Sequence, residues 1–135
     1  MSRILGLDIG TKRIGVAVSD PLNITATPKD YIQNDDKAIE KIKNLLKEYK
    51  TKDVVVGLPL TLKGNEGEQV KYTKEFVEKL KENIPDINII FIDERFSSSL
   101  AEKHINPKKL KEKGKLDSLS AAIILQTYLD SLSIR

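Results

Sequence analysis

The chain predicts an α/β domain built on a mixed five-stranded sheet, in the order 3-2-1-4-5, with strand two antiparallel and helices flanking the sheet. Three observations carry this. Two short apolar runs near the start, about residues 3–9 and 14–19, are joined by only four residues. That link is too short for a parallel crossover, so the pair is antiparallel. Two later apolar runs, 53–57 and 87–92, are separated by an amphipathic segment, as in a parallel unit with a crossover helix. With strand one central, the parallel strands one, four and five all end at one edge, where open α/β sheets form their sites.

The elements follow in order. Asp20-Pro21-Leu22-Asn23 is a turn signal after the second strand. A third strand, roughly 24–33, contains Pro28, which cannot donate to a ladder and so marks an edge. Asn34-Asp35-Asp36 offers a helix N-cap. Ile39, Ile42, Leu45, Leu46 and Tyr49 then recur at helical spacing. Asp53-Val54-Val55-Val56-Gly57 is a short continuous apolar strand of the buried type. After a loop, Val70, Thr73, Phe76, Val77 and Leu80 line one face of a second helix, which Pro85 stops. Residues 87–92 make the second buried strand. Residues 107–115 are polar and basic, with little to bury. A last helix, from about Asp117 to Leu132, is apolar nearly all round and therefore largely buried.

At 135 residues the chain reads as a single domain spanning 1–135, large enough to hold a core without staples. It has no cysteine and one histidine. That excludes disulfides, thiolate metal sites and thiol nucleophiles, and argues against a Ser-His-Asp triad or a multi-histidine zinc site. No apolar stretch is long enough to span a membrane, and residues 1–4 lead straight into a strand without a signal peptide. The expectation is a cytoplasmic protein. The net charge of +3 permits nucleic-acid binding without demanding it.

Asp8 is the residue that most needs explaining. It lies in an otherwise apolar strand, where a carboxylate is costly unless it is paired or bound to a cation. Glu94 follows the fifth strand and Asp117 opens the last helix, so the three could converge at one sheet edge. Carboxylates from separate elements suit Mg²⁺ or Mn²⁺, which take hard oxygen ligands. Each also has a structural alternative: Asp8 bonding its own turn, Asp117 as an N-cap, Glu94 paired with a lysine, or Asp93 standing in its place.

The order and content of four segments narrow these alternatives. Gly6-Leu7-Asp8-Ile9-Gly10-Thr11-Lys12-Arg13-Ile14-Gly15-Val16-Ala17-Val18-Ser19-Asp20 resembles the opening signature of the YqgF/RuvX family. Val55-Val56-Gly57-Leu58-Pro59-Leu60 with Gly64 and Glu68 resembles the second motif of that family. Asp93-Glu94-Arg95-Phe96-Ser97-Ser98 resembles the third, and Asp117-Ser118-Leu119-Ser120-Ala121-Ala122-Ile123-Ile124-Leu125-Gln126 the fourth. Members are Holliday-junction-resolvase-like proteins, assigned as nucleases that mature the 5′ end of precursor 16S ribosomal RNA. The resemblance implies an RNase H-like fold and metal-dependent hydrolysis of nucleic acid, with Mg²⁺ or Mn²⁺ held by Asp8, Glu94 and Asp117. It also implies a departure. Resolvases of this type carry a glutamate at the end of strand four, where this chain has Gly57-Leu58-Pro59. Glu94 would have to substitute from the neighbouring strand.

Around that trio, Lys12 and Arg13 are candidate phosphate contacts, as are Arg95 through its planar guanidinium, Ser97 and Ser98, and Lys113 and Lys115 in the basic stretch. Solvated turn charges, an Arg95–Glu94 ion pair and serine helix caps are the bland readings. The expected partner is nucleic acid, precursor ribosomal RNA first and branched DNA second, with the protein a monomer or homodimer. A non-catalytic RNA-binding assembly factor is a competing class. An actin-like ATPase is another, because Asp8-Ile9-Gly10-Thr11-Lys12 resembles its phosphate-binding turn, but that fold needs two such domains.

Overall fold

In a computed structural model, residues 3–59, 67–94 and 118–133 are described here. The strands are β1 (Leu5–Ile9), β2 (Arg13–Ser19), β3 (Ala26–Gln33), β4 (Asp53–Leu58) and β5 (Asn88–Asp93). The helices among the described residues are α1 (Ala38–Glu48), α2 (Glu68–Asn83) and α3 (Leu119–Ser133). The sheet order is β3-β2-β1-β4-β5. β2 runs antiparallel to both β1 and β3, and β1, β4 and β5 are parallel. The expected topology is therefore the observed one.

The period-two alternation of the strands divides the interior into two cores. Leu5, Leu7 and Ile9 of β1, with Val54 and Val56 of β4, face Ile42 and Leu46 of α1 and Val77 and Leu80 of α2. Ala17, Ala26 and Val55 face the other way, onto Ala121, Ala122, Ile124, Leu125 and Leu129 of α3. This second face is floored by small residues, and the helix seats close. A Cβ on Gly6 would lie 2.8 Å from Leu125 Cβ and 3.1 Å from the Ala121 carbonyl oxygen. Any side chain at Gly6 would lift α3 off the sheet.

Two buried polar side chains hold α3 in place. The Val16 amide donates to Ser118 Oγ at 2.9 Å, at the point where the β2–β3 register shifts. Gln126 is fully buried. Its oxygen accepts from the Ala26 amide and its nitrogen donates to the Ile24 carbonyl, both at 2.8 Å. Buried backbone groups need such partners.

Two details depart from the sequence reading. No side chain in 34–36 caps α1. Its N-cap is Lys37, without a side-chain capping bond. Asp35 instead closes the preceding turn, accepting from the Lys37 amide at 2.9 Å. β5 is an edge strand rather than a buried one, with Phe91 37% exposed, because it has one strand neighbour. α3 begins at Leu119, close to the expected start, and Asp117 lies outside the described residues. No helix of the described residues is long and apolar enough to cross a membrane.

A candidate carboxylate site at the strand ends

Asp8 belongs to the α3 face of the sheet. Its neighbours Leu7 and Ile9 point into the α1–α2 core, so alternation turns Asp8 to the opposite side. In register it sits beside Gly15 of β2. Val55 faces α3 as well, so Gly57, two residues on, presents its missing side chain to the same face.

Glu94 fills that gap. It follows the last residue of β5 and lies over Gly57: a Cβ there would sit 2.6 Å from Glu94 Oε1 and 3.0 Å from its Cγ. The same Cβ would sit 2.4 Å from Ile124 Cδ1. Glycine at the end of β4 is what lets a side chain from the adjacent strand cross to Asp8. The two carboxyl groups are hydrogen-bonded to each other.

This contact shifts both titrations upward. Burial is the main cause for each. Glu94 is pushed up from 4.5 to about 7, first by burial, then by the Asp8 charge and their shared hydrogen bond, and last by Asp93. Asp8 is also raised, although the hydrogen bond from Glu94 works against its burial. Two like charges in one partly desolvated place cannot both ionise at low cost. Their hydrogen bond raises Glu94 and lowers Asp8, so Glu94 is the donor when the pair shares a proton. A bound cation would replace that proton, and an all-oxygen donor pair is the chemistry hard divalent ions prefer.

The adjoining turn is held firmly. The Gly10 amide donates to the Arg13 carbonyl at 3.0 Å, and the Asn34 amide to the Lys12 carbonyl at 2.9 Å. Asn34 Nδ2 also donates to the Gly10 carbonyl at 2.7 Å and to Tyr72 Oη at 2.6 Å. Gln69, in the first turn of α2, donates to the Ile9 carbonyl at 3.1 Å. Lys12 and Arg13 are exposed on this turn, at the same sheet edge as the carboxylates. The Arg13 guanidinium lies over the Tyr31 ring, 5.3 Å from its centroid.

Of the expected site residues, the structure brings Asp8 and Glu94 together and sets Lys12 and Arg13 on the neighbouring turn. Asp117, Arg95, Ser97, Ser98, Lys113 and Lys115 lie outside the described residues. Among the described residues no group of three His, Cys, Asp or Glu converges. Sequence reasoning missed Ser118, Gln126, Asn34 and Tyr31, whose partners are distant in the chain. It treated Gly57 as a lost carboxylate rather than as the space Glu94 occupies.

Comparison with known proteins shows the family and the fold. The model of the RuvX family, described as Holliday junction resolvase, matches residues 2–131. A protein of Sulfurihydrogenibium sp. (strain YO3AOP1) named "Putative pre-16S rRNA nuclease" is 68% identical over 135 residues, covering 98% of this chain and 93% of that protein. A Fusobacterium nucleatum protein of the same name is 44% identical over 135 residues, covering 96% and 98%. Among solved structures, T. thermophilus RuvC in complex with Holliday junction substrate superimposes with a TM-score of 0.60 at 12% identity, over 98% of this chain and 96% of that one. The fowlpox virus resolvase in its Holliday junction DNA complex gives 0.57 at 16% identity, over 96% and 98%. At such identities the structural likeness is one of fold.

Proposed function

Because this chain belongs to the RuvX family and is a nuclease, we propose that it is a divalent-metal-dependent endonuclease of structured RNA, acting in one domain on precursor 16S ribosomal RNA in the cytoplasm. The observation that carries the metal reading is the Asp8–Glu94 contact. Two carboxyl groups from different strands meet at a sheet edge, over a glycine that leaves room for them, at an electrostatic cost that a cation would remove.

Asp8 and Glu94 would hold Mg²⁺ or Mn²⁺, with Asp117 as the third ligand by its place in the fourth motif. When bound, the ion would supply Lewis-acid stabilisation of charge on the phosphate and favour water as the nucleophile. The chain's own residues do the rest. Glu94 would reach the ion beside Asp8 because Gly57 has no side chain to obstruct it. Lys12 and Arg13 neutralise the backbone beside the scissile phosphate. Arg95, Ser97, Ser98, Lys113 and Lys115 would be further phosphate contacts, by their chemistry and their place in the sequence. The phosphate contacts set grip and register without reading sequence. Choice of substrate then rests on RNA shape.

A four-way DNA junction is the second substrate to consider, since the family description names resolvases. The deciding experiment sets precursor 16S rRNA and a four-way DNA junction side by side with the purified protein in Mg²⁺, Mn²⁺ or EDTA. The expected result is metal-dependent cleavage of the RNA, lost in EDTA and in Asp8→Asn. Cleavage of the junction alone would make the protein a DNA resolvase. Binding of RNA without cleavage under any metal would make it an assembly factor.

A further inference from the structure

Arg13 is two residues from Gly15, the register partner of Asp8, so by strand alternation it belongs to the same face as the carboxylate pair. One strand spacing and two residue steps place its Cα roughly 8 Å from that of Asp8. It therefore stands next to the carboxylates on the side toward the β3 edge.

Arg13 is also held at both ends. Its carbonyl accepts from the Gly10 amide, inside the turn that Asn34 and Gln69 clamp. Its guanidinium lies over Tyr31, a half-buried residue of β3. Stacking engages the face of a guanidinium, and the planar edge is the part whose fork matches a phosphate; Arg13 is exposed at this position. Holding it in advance reduces the side-chain ordering that binding requires.

Resting on the nuclease reading above, we infer that Tyr31 is a positioning residue for substrate: its ring presents Arg13 to the phosphate backbone beside the scissile bond. The nucleic-acid strand thereby enters the site over the β2–β3 side of the sheet. The contact is to phosphate, so it serves RNA and DNA alike.

The test measures the affinity of the full chain for a labelled precursor 16S rRNA fragment in EDTA across a range of KCl, then cleavage in Mg²⁺. Tyr31→Leu should weaken binding about two- to five-fold, the size of one exposed cation–π contact. It should also flatten the salt dependence and raise KM with little change in kcat. Tyr31→Phe keeps the ring and should behave as the unaltered protein. Arg13→Gln should lower the slope of log affinity against log salt by about 0.7–0.9, one phosphate contact. Adding Tyr31→Leu to Arg13→Gln should cost nothing more, because the two act as one unit. Should Tyr31→Leu disturb folding, Arg13→Lys with Tyr31 intact takes its place, since the ammonium keeps the charge but loses the planar fork; weaker binding with the slope retained is then expected. Wild-type affinity and slope in folded Tyr31→Leu, or full affinity in Arg13→Lys, would overturn the inference. So would additive losses in the double variant. If the unaltered protein neither binds nor cleaves nucleic acid, the nuclease reading itself falls and takes this inference with it.

Discussion

Glu94→Gln makes the carboxylate contact measurable without any substrate. The side chain keeps its size and can still hydrogen-bond Asp8, but it no longer titrates. In the unaltered protein Glu94 titrates at about 7 instead of 4.5. A raised folded-state pKa means that the folded protein binds more protons than the unfolded chain between these values. The Glu94 contribution to stability is therefore fully present below about 4.5 and is lost as pH rises through about 7. Asp8 is shifted in the same direction and adds to the same trend. Nominally the Glu94 shift corresponds to about 3 kcal/mol. Glu94 is only half-buried, so solvent screening reduces this to roughly 1–2 kcal/mol. At pH 8, without divalent ions, Glu94→Gln should therefore be the more stable protein by that amount, about 4–8 °C in Tm for a chain of this size. The gap should close toward pH 4.5. Thermal unfolding followed by circular dichroism from pH 4 to 9 tests this. Millimolar Mg²⁺ at pH 8 should raise the Tm of the unaltered protein and leave Glu94→Gln much less affected. Parallel pH profiles for the two proteins would refute the carboxylate contact, and with it the reason to place a cation there.

Asp8→Asn should fold normally, abolish metal-dependent cleavage by at least about 10²-fold, and let Glu94 titrate nearer its ordinary range; carbon-detected NMR of the Glu94 carboxyl reads the last effect. Gly57→Ala places a methyl group 2.6 Å from Glu94 Oε1 and 2.4 Å from Ile124 Cδ1, so it should cost about 1–3 kcal/mol of stability by overpacking and reduce cleavage. Adding Ile124→Val should recover stability by chemical denaturation but not cleavage, because Glu94 remains displaced; recovery of both would show that Gly57 serves helix packing alone. Gln126→Leu strands the Ala26 amide and the Ile24 carbonyl and should cost about 2–4 kcal/mol, with cleavage per folded molecule unchanged. A denaturation midpoint equal to that of the unaltered protein would mean that these groups find other partners.

The antiparallel start and the two amphipathic helices were legible from local pattern: short links force hairpins, alternation marks strands, and Ile42, Leu46, Val77 and Leu80 recur at the helical period. The sheet order followed from general rules of strand connection rather than from any contact between particular side chains. The sequence also marked Asp8 as a costly residue in a strand and placed Glu94 just past strand five, where the two could converge. What it could not yield was anything set by the approach of distant segments. The run 87–92 reads as buried because it is apolar, although the expected order already puts it last in the sheet; with one strand neighbour, its Phe91 is 37% exposed. Asp35 looked like a helix cap because its chemistry suits one, whereas the backbone geometry used it one turn earlier. In the sequence Gly57 appears as a missing carboxylate, because the residue that fills its space lies 37 positions later and arrives from another strand. The Tyr31–Arg13 stack, the Ser118–Val16 bond and the Gln126 bridge likewise join positions with no spacing relation in the chain. Periodicity reports which face a side chain takes, because that follows from backbone geometry; which side chain it meets there depends on strand register and helix seating, and those are properties of the assembled fold.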